Sequence, residues 1–170
     1  MDALIKRITA MLFLVLVFVP VPSIAASNEP IIVTNPKTGK EFIFTSIAIE
    51  NLKLLGEVLA ELDMTNHLYA LQGIMLVETR AGTGGSVGLP NAHWTRRSYG
   101  LMQITVPTAR VILRDNPHLV ELYFGKRSWK SITIEEMRVF LIKNKRANVT
   151  MGSLLFKQYL EMTRNEWARA

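Results

Sequence analysis

The chain has 170 residues, with 20 Lys and Arg against 14 Asp and Glu, and no cysteine. That length suits one domain with a real core and excludes two comfortable ones. The missing cysteines exclude both a disulfide framework and a lipid-modified cysteine anchor, and the basic balance either recruits anionic partners or simply solvates helix faces.

Residues Met1 to Ala26 open with Lys6 and Arg7, continue as the apolar run Met11 to Val19, and close on Pro20, Pro22, Ser23, Ala25 and Ala26. This is the pattern of a secretory signal peptide over residues 1–25, with cleavage expected after Ser23-Ile24-Ala25. The apolar run is short for a finished membrane-spanning helix, although an uncleaved anchor is the alternative reading. Removing Asp2, Lys6 and Arg7 with the leader leaves 18 basic against 13 acidic side chains. An exported basic protein meets cell-wall polymers and membrane surfaces rather than nucleic acid.

Residues 27–45 form the next segment. Ile31-Ile32-Val33-Thr34 and Glu41-Phe42-Ile43-Phe44, separated by Asn35-Pro36-Lys37-Thr38-Gly39-Lys40, read as a small β-hairpin. Two strands are not stable alone, so the hairpin is expected to lean on the helices that follow. From 46 to 170 the pattern is helical. Between Ser46 and Asp63, Ile47, Leu52, Leu55, Val58, Leu59 and Leu62 recur at spacings of three and four, the signature of an amphipathic helix. A second helix, capped by Asn66, is expected to run through Leu68, Leu71, Ile74, Met75 and Val77 to Glu78 or Thr79.

Glu78 lies seven residues after Leu71 and three after Met75, which puts it on the expected buried stripe. Poor solvation and the negative end of the helix dipole both favour a protonated carboxyl there. A carboxyl that stays protonated near neutrality can act as a general acid. The other reading is a helix-ending Glu that turns to solvent.

The loop after Glu78 carries Gly82, Gly84, Gly85 and Gly88, which suit tight turns. It fits neither a phosphate loop nor a dinucleotide fingerprint. His93, Trp94, Arg96 and Arg97 precede Ser98, and Trp94 can either stack on a sugar face or pack as a lid. Further helices are expected from Thr105 or Val106 with Pro107 in the first turn, from Asn116-Pro117 to Gly125 along Leu119, Leu122, Tyr123 and Phe124, and from the capping box Thr133 to Glu136 through Met137, Phe140 and Leu141. A last helix starts near Asn148 and carries Met151, Leu154, Leu155, Tyr159 and Met162. His67, His93 and His118 have no paired ligand spacing, so no metal and no cofactor are expected. The sequon Asn148-Val149-Thr150 falls at a helix start and reads as coincidence.

A Glu ending an apolar helix, then Gly100-Leu101-Met102-Gln103, then Pro107-Thr108-Ala109-Arg110, then Asn148 with Gly152, resembles the soluble lytic transglycosylase domain, which is related to goose-type lysozyme. The resemblance spans Asn66 to Ala170, and its specificity lies in the combination. It implies a mostly α, lysozyme-like helical domain that cleaves the bond from N-acetylmuramic acid to N-acetylglucosamine in peptidoglycan. It gives Glu78 the part of catalytic acid and then base, makes Met102 and Gln103 sugar contacts, and puts Asn148 at the cleft wall. Ser98 and Tyr99 adjoin that segment and are included as substrate-binding. The family has Ser after the catalytic Glu, and Thr79 keeps the hydroxyl.

The family also continues into a helix with an Ala-Tyr-Asn-x-Gly element, whereas this sequence ends on Trp167-Ala168-Arg169-Ala170. The domain is therefore read as C-terminally incomplete and weakly active. Most glycosidases use two carboxylates, and Asp115 is the nearest acidic residue after the motif. The resemblance implies one carboxyl and an intramolecular attack by the sugar's hydroxymethyl group. A noncatalytic wall-binding or assembly protein and a hydrolytic lysozyme are the alternative readings. Peptidoglycan strands are the expected partner, and an envelope-spanning secretion or conjugation apparatus is a further candidate.

Overall fold

The computed structural model describes residues 31–34, 39, 41–84, 87–88, 91–125 and 127–167. The leader and most of the Asn35 to Lys40 turn lie outside the described residues. Strands β1 (Ile31–Thr34) and β2 (Glu41–Phe44) pair antiparallel, with Ile31 opposite Phe44. The rest is mostly helical, as expected: α1 (Ser46–Glu61), a 3-10 turn at Thr65–His67, α2 (Leu68–Thr79), α3 (Val106–Asp115), α4 (Pro117–Phe124), α5 (Ile134–Lys143) and α6 (Lys145–Trp167). Between α2 and α3 lies a second, three-stranded sheet of two-residue strands, β3 (Val87–Gly88), β4 (Ser98–Tyr99) and β5 (Ile104–Thr105). Among the described residues no helix is long and apolar enough to cross a membrane.

Helix α6 is the pillar of the domain, packing against α1, α3 and α5. Its Val149 and Met151 are fully buried with Leu55, Val58 and Leu59 of α1, Leu71 and Met75 of α2, Ile112 and Leu113 of α3, and Met137 and Leu141 of α5. Burial of each large apolar side chain contributes about 1.5–3 kcal/mol before entropy is counted. At the start of α6, Arg146 reaches Glu57 at 2.6 Å and Glu61 at 2.7 Å on α1. These groups are exposed, so the clamp orients the helices more than it stabilises them.

Several local expectations are corrected. Ile47 is 50% exposed, and the stripe of α1 instead buries Asn51. Asn66 sits inside the 3-10 turn, and α2 starts at Leu68 without a side-chain cap. Leu122 is exposed while Val120 is buried, because the short α4 turns a different face inward. Helix α6 begins at Lys145, ahead of Asn148, because the Asn144 carboxamide accepts from the Ala147 N–H at 3.0 Å. Along its later turns Leu155, Tyr159 and Met162 are exposed.

The capping box of α5 forms as the sequence implies, with Thr133 and Glu136 bonded reciprocally. Hydrogen bonds to Glu136 from the Arg127 guanidinium and then from Thr133 hold its carboxyl down to about 2. A folded value below the unfolded one means support that is complete above the ordinary value of 4.5 and lost as pH falls towards 2. Wild type and Glu136→Gln are therefore expected to differ in thermal midpoint at neutral pH and to converge in acid. A gap independent of pH would show that the carboxylate is not its source.

Candidate active site

The C-terminal turn of α2 carries Glu78 and Thr79. The buried stripe of this helix is Leu71, Met75 and Thr79, stepping by four, so it reaches Thr79 and leaves Glu78 on its shoulder. The expectation that Glu78 shares the buried stripe is thus corrected: its side chain is exposed. Its carboxyl nevertheless loses hydration against the neighbouring protein, and this desolvation raises its pKa above the usual 4.5. Among the described residues it forms no ion pair.

Immediately after Glu78 the chain reverses through Arg80, Ala81 and Gly82, all left-handed, at φ of 51°, 53° and 88°. Such a conformation costs a residue with a side chain about 1–2 kcal/mol, so it persists only where neighbours enforce it. Here the Asn51 amide of α1 donates to the Ala81 carbonyl at 2.7 Å, and the Gly84 N–H donates to the Thr79 carbonyl at 2.7 Å. Gly82 has no room for a Cβ, which would run into the Asn51 amide and Leu101.

Thr79 joins this turn to the next segment. Its hydroxyl accepts from the Gly82 N–H at 3.0 Å and faces the carbonyls of Met75 at 3.2 Å and Leu101 at 3.1 Å, between which its single proton is shared. Thr79→Val keeps the shape, deletes the hydroxyl, and takes from the buried Leu101 carbonyl its partner, while the Met75 carbonyl keeps the Ala81 N–H and the Gly82 N–H keeps the Thr79 carbonyl. The expected loss is about 1–3 kcal/mol of stability in urea titration, with Thr79→Ser close to wild type. A neutral Thr79→Val would mean the contact with Leu101 carries no weight.

Leu101 belongs to the turn that links β4 to β5. Gly100 and Gln103 bracket it with positive φ of 74° and 48°. A Cβ on Gly100 would collide with the Asn148 amide and the Leu141 carbonyl, so only glycine fits. Asn148, fully buried on α6, holds the turn from both sides: its amide donates to the Tyr99 carbonyl at 2.8 Å, and its carbonyl accepts from the Met102 N–H at 2.7 Å. One helical turn on, Gly152 leaves space for the Met102 side chain. Gln103 is braced within the turn. Its amide donates to the Gly100 carbonyl at 2.8 Å and its side-chain oxygen accepts from the Ser98 hydroxyl at 2.6 Å, with Gly88 close against both groups.

Ser98, Met102, Gln103 and Asn148 thus belong to one connected neighbourhood, although they are spread along the chain, and Glu78 adjoins it only through its chain neighbour Thr79. Their parts differ from those expected. Tyr99, Met102 and Asn148 are buried and shape the turn from behind, whereas Ser98 and Gln103 are only half-buried. The buried carboxamide of Asn148 is also closed to glycan attachment, in keeping with a fortuitous sequon. Asp115 stands apart, exposed at the end of α3 and bonded to Arg114 at 2.7 Å, which lowers its pKa. Two surface depressions lie elsewhere: one of about 810 Å³ between Glu135 and Lys145, the other of about 390 Å³ beside Pro117 and Trp129. Neither is lined by Glu78 or the Gly100 to Gln103 turn.

Sequence reading missed Asn51 and the nodal part of Thr79. Asn51 was findable, since it lies four residues before Leu55 on an otherwise apolar face.

No family model matches the chain, and no curated protein or solved structure matches it significantly.

Proposed function

We propose that the chain is an exported peptidoglycan lytic transglycosylase with Glu78 as its acid and then its base. The observation that carries this reading is the 3.1 Å contact of the Thr79 hydroxyl with the Leu101 carbonyl. It ties Thr79, the chain neighbour of a carboxyl whose pKa is raised by desolvation, to the Gly100 to Gln103 turn that the resemblance makes a sugar-binding segment. The same resemblance covers Asn148 and Gly152, which meet that turn from behind.

In the proposed reaction, protonated Glu78 gives its proton to the glycosidic oxygen as the bond to the muramic C1 breaks. The resulting carboxylate then takes the proton of the same sugar's C6 hydroxyl as that oxygen bonds to C1. The anhydro ring closes, Glu78 ends protonated, and no water is consumed. One carboxyl serves both steps, in keeping with the engagement of Asp115 by Arg114.

The exposure of Glu78 favours hydrolysis as the second reading, because water reaches an open carboxyl. Digestion of purified peptidoglycan with mass analysis separates the two. Fragments lighter by one water than hydrolytic products support transglycosylation, reducing muramic ends support a lysozyme, and intact glycan sinks both in favour of a wall-binding protein. Export predicts a mature N-terminus at Ala26 or Ser27, and a membrane-bound form that retains Lys6 would contradict it.

A further inference from the structure

The segment between Glu78 and Asp115 contains five arginines and no acidic residue. The described arginines divide sharply around it. Arg127, Arg138 and Arg146 lie beyond it and Arg114 at its very end, and each meets a carboxylate. Arg80, Arg96, Arg97 and Arg110 meet none among the described residues. Arg110 is occupied otherwise, donating to the Ile132 carbonyl at 2.7 Å. Three guanidinium groups remain among the described residues, and along the chain all three lie within two residues of the neighbourhood described above. Arg80 follows Thr79 directly and is exposed, Arg96 is exposed, and half-buried Arg97 adjoins Ser98 with its Nε held by the Ala92 carbonyl at 2.6 Å.

We propose that Arg80, Arg96 and Arg97 form a rim that binds the carboxylates of peptide-substituted glycan, so that the site prefers strands carrying their stem peptides to bare ones. The inference rests on the glycan reading and deepens it. A guanidinium is planar, always charged and less strongly hydrated than an ammonium, and it takes a carboxylate through two parallel hydrogen bonds. Unpaired guanidinium groups lacking local acids leave that capacity for a ligand. Stripped glycan offers such groups a single lactyl carboxylate per muramic residue, whereas each stem peptide replaces it with several carboxylates on a longer reach, so the difference is one of number and position.

Soluble, uncrosslinked glycan chains, with stem peptides or with the peptides removed by an amidase, provide the test. Binding is measured by calorimetry with the full chain carrying Glu78→Gln, so that no substrate is consumed. The peptide-bearing chains are expected to bind about tenfold more tightly, an advantage that shrinks between about 50 mM and about 500 mM salt. Adding Arg80→Gln and Arg96→Gln, both at exposed positions, should abolish the preference, and Arg→Lys at the same positions should restore only part of it. Equal affinity for the two forms overturns the proposal, as does a preference that survives the double substitution. Tighter binding to phosphatidylglycerol vesicles than to peptide-bearing glycan overturns it too, assigning the rim to a membrane. Preferential binding by a wild-type protein that cleaves neither form supports the rim and refutes the transglycosylase reading alone.

Discussion

Glu78→Gln is expected to lower peptidoglycan cleavage by at least about 100-fold, the usual contribution of a positioned general acid. The substitution keeps the shape of the side chain and removes its titrating proton. Its effect on stability should run the other way. The folded-state pKa of Glu78 lies above its ordinary 4.5, so the fold favours the protonated form, and stability is lost as pH rises through that interval. Above it, the neutral amide spares the protein a partly desolvated charge. Glu78→Gln should therefore melt slightly higher than wild type at neutral pH and match it in acid. Release of anhydro-muropeptides and thermal melts at two pH values check both halves. Retained activity would oblige another residue to be the acid.

Asn148→Ala should produce the largest loss of stability from a single polar substitution in the domain. It removes both partners at once, stranding the Tyr99 carbonyl and the Met102 N–H in the interior. Each unsatisfied buried group costs about 1–3 kcal/mol, so the pair amounts to roughly 2–6 kcal/mol, a large part of the net stability of a small domain. Urea unfolding measures it. Asn148→Asp should fare little better, because a carboxylate cannot donate to the Tyr99 carbonyl. A loss below about 1 kcal/mol would mean that water or relaxation replaces the missing bonds.

Periodicity and caps made much of this architecture legible. Thr133 with Glu136 announced α5, Pro107 announced the first turn of α3, and Pro117 with Gly125 bounded α4, because each acts through local backbone chemistry. Faces were less legible. Glu78, Ile47 and Leu122 all fit an apolar spacing, yet which shoulder of a helix is covered depends on neighbours remote in sequence. The two-residue strands β3, β4 and β5 were invisible for a related reason: strands so short have no period to read. Of the site, the resemblance singled out Glu78, the turn and Asn148. Only three-dimensional packing distinguishes the half-buried Ser98 and Gln103 from the buried Tyr99, Met102 and Asn148.

The hydrogen bonds that hold the site together span 30 residues from Asn51 to Ala81, 22 from Thr79 to Leu101, and 46 and 49 from Asn148 to Met102 and Tyr99. Contacts of such separation require large chain loops to close before they yield any gain, so they form late along a folding route. The reversal after Glu78 and the turn at Gly100 have unfavourable backbone angles until those bonds exist, and neither segment can hold its shape in isolation. A partly folded chain therefore lacks the bonds that shape the reversal after Glu78 and the turn at Gly100. The turn waits for α6 to dock against the rest, because Asn148 holds it from that helix, so under the proposed function the site is built only once the domain has folded.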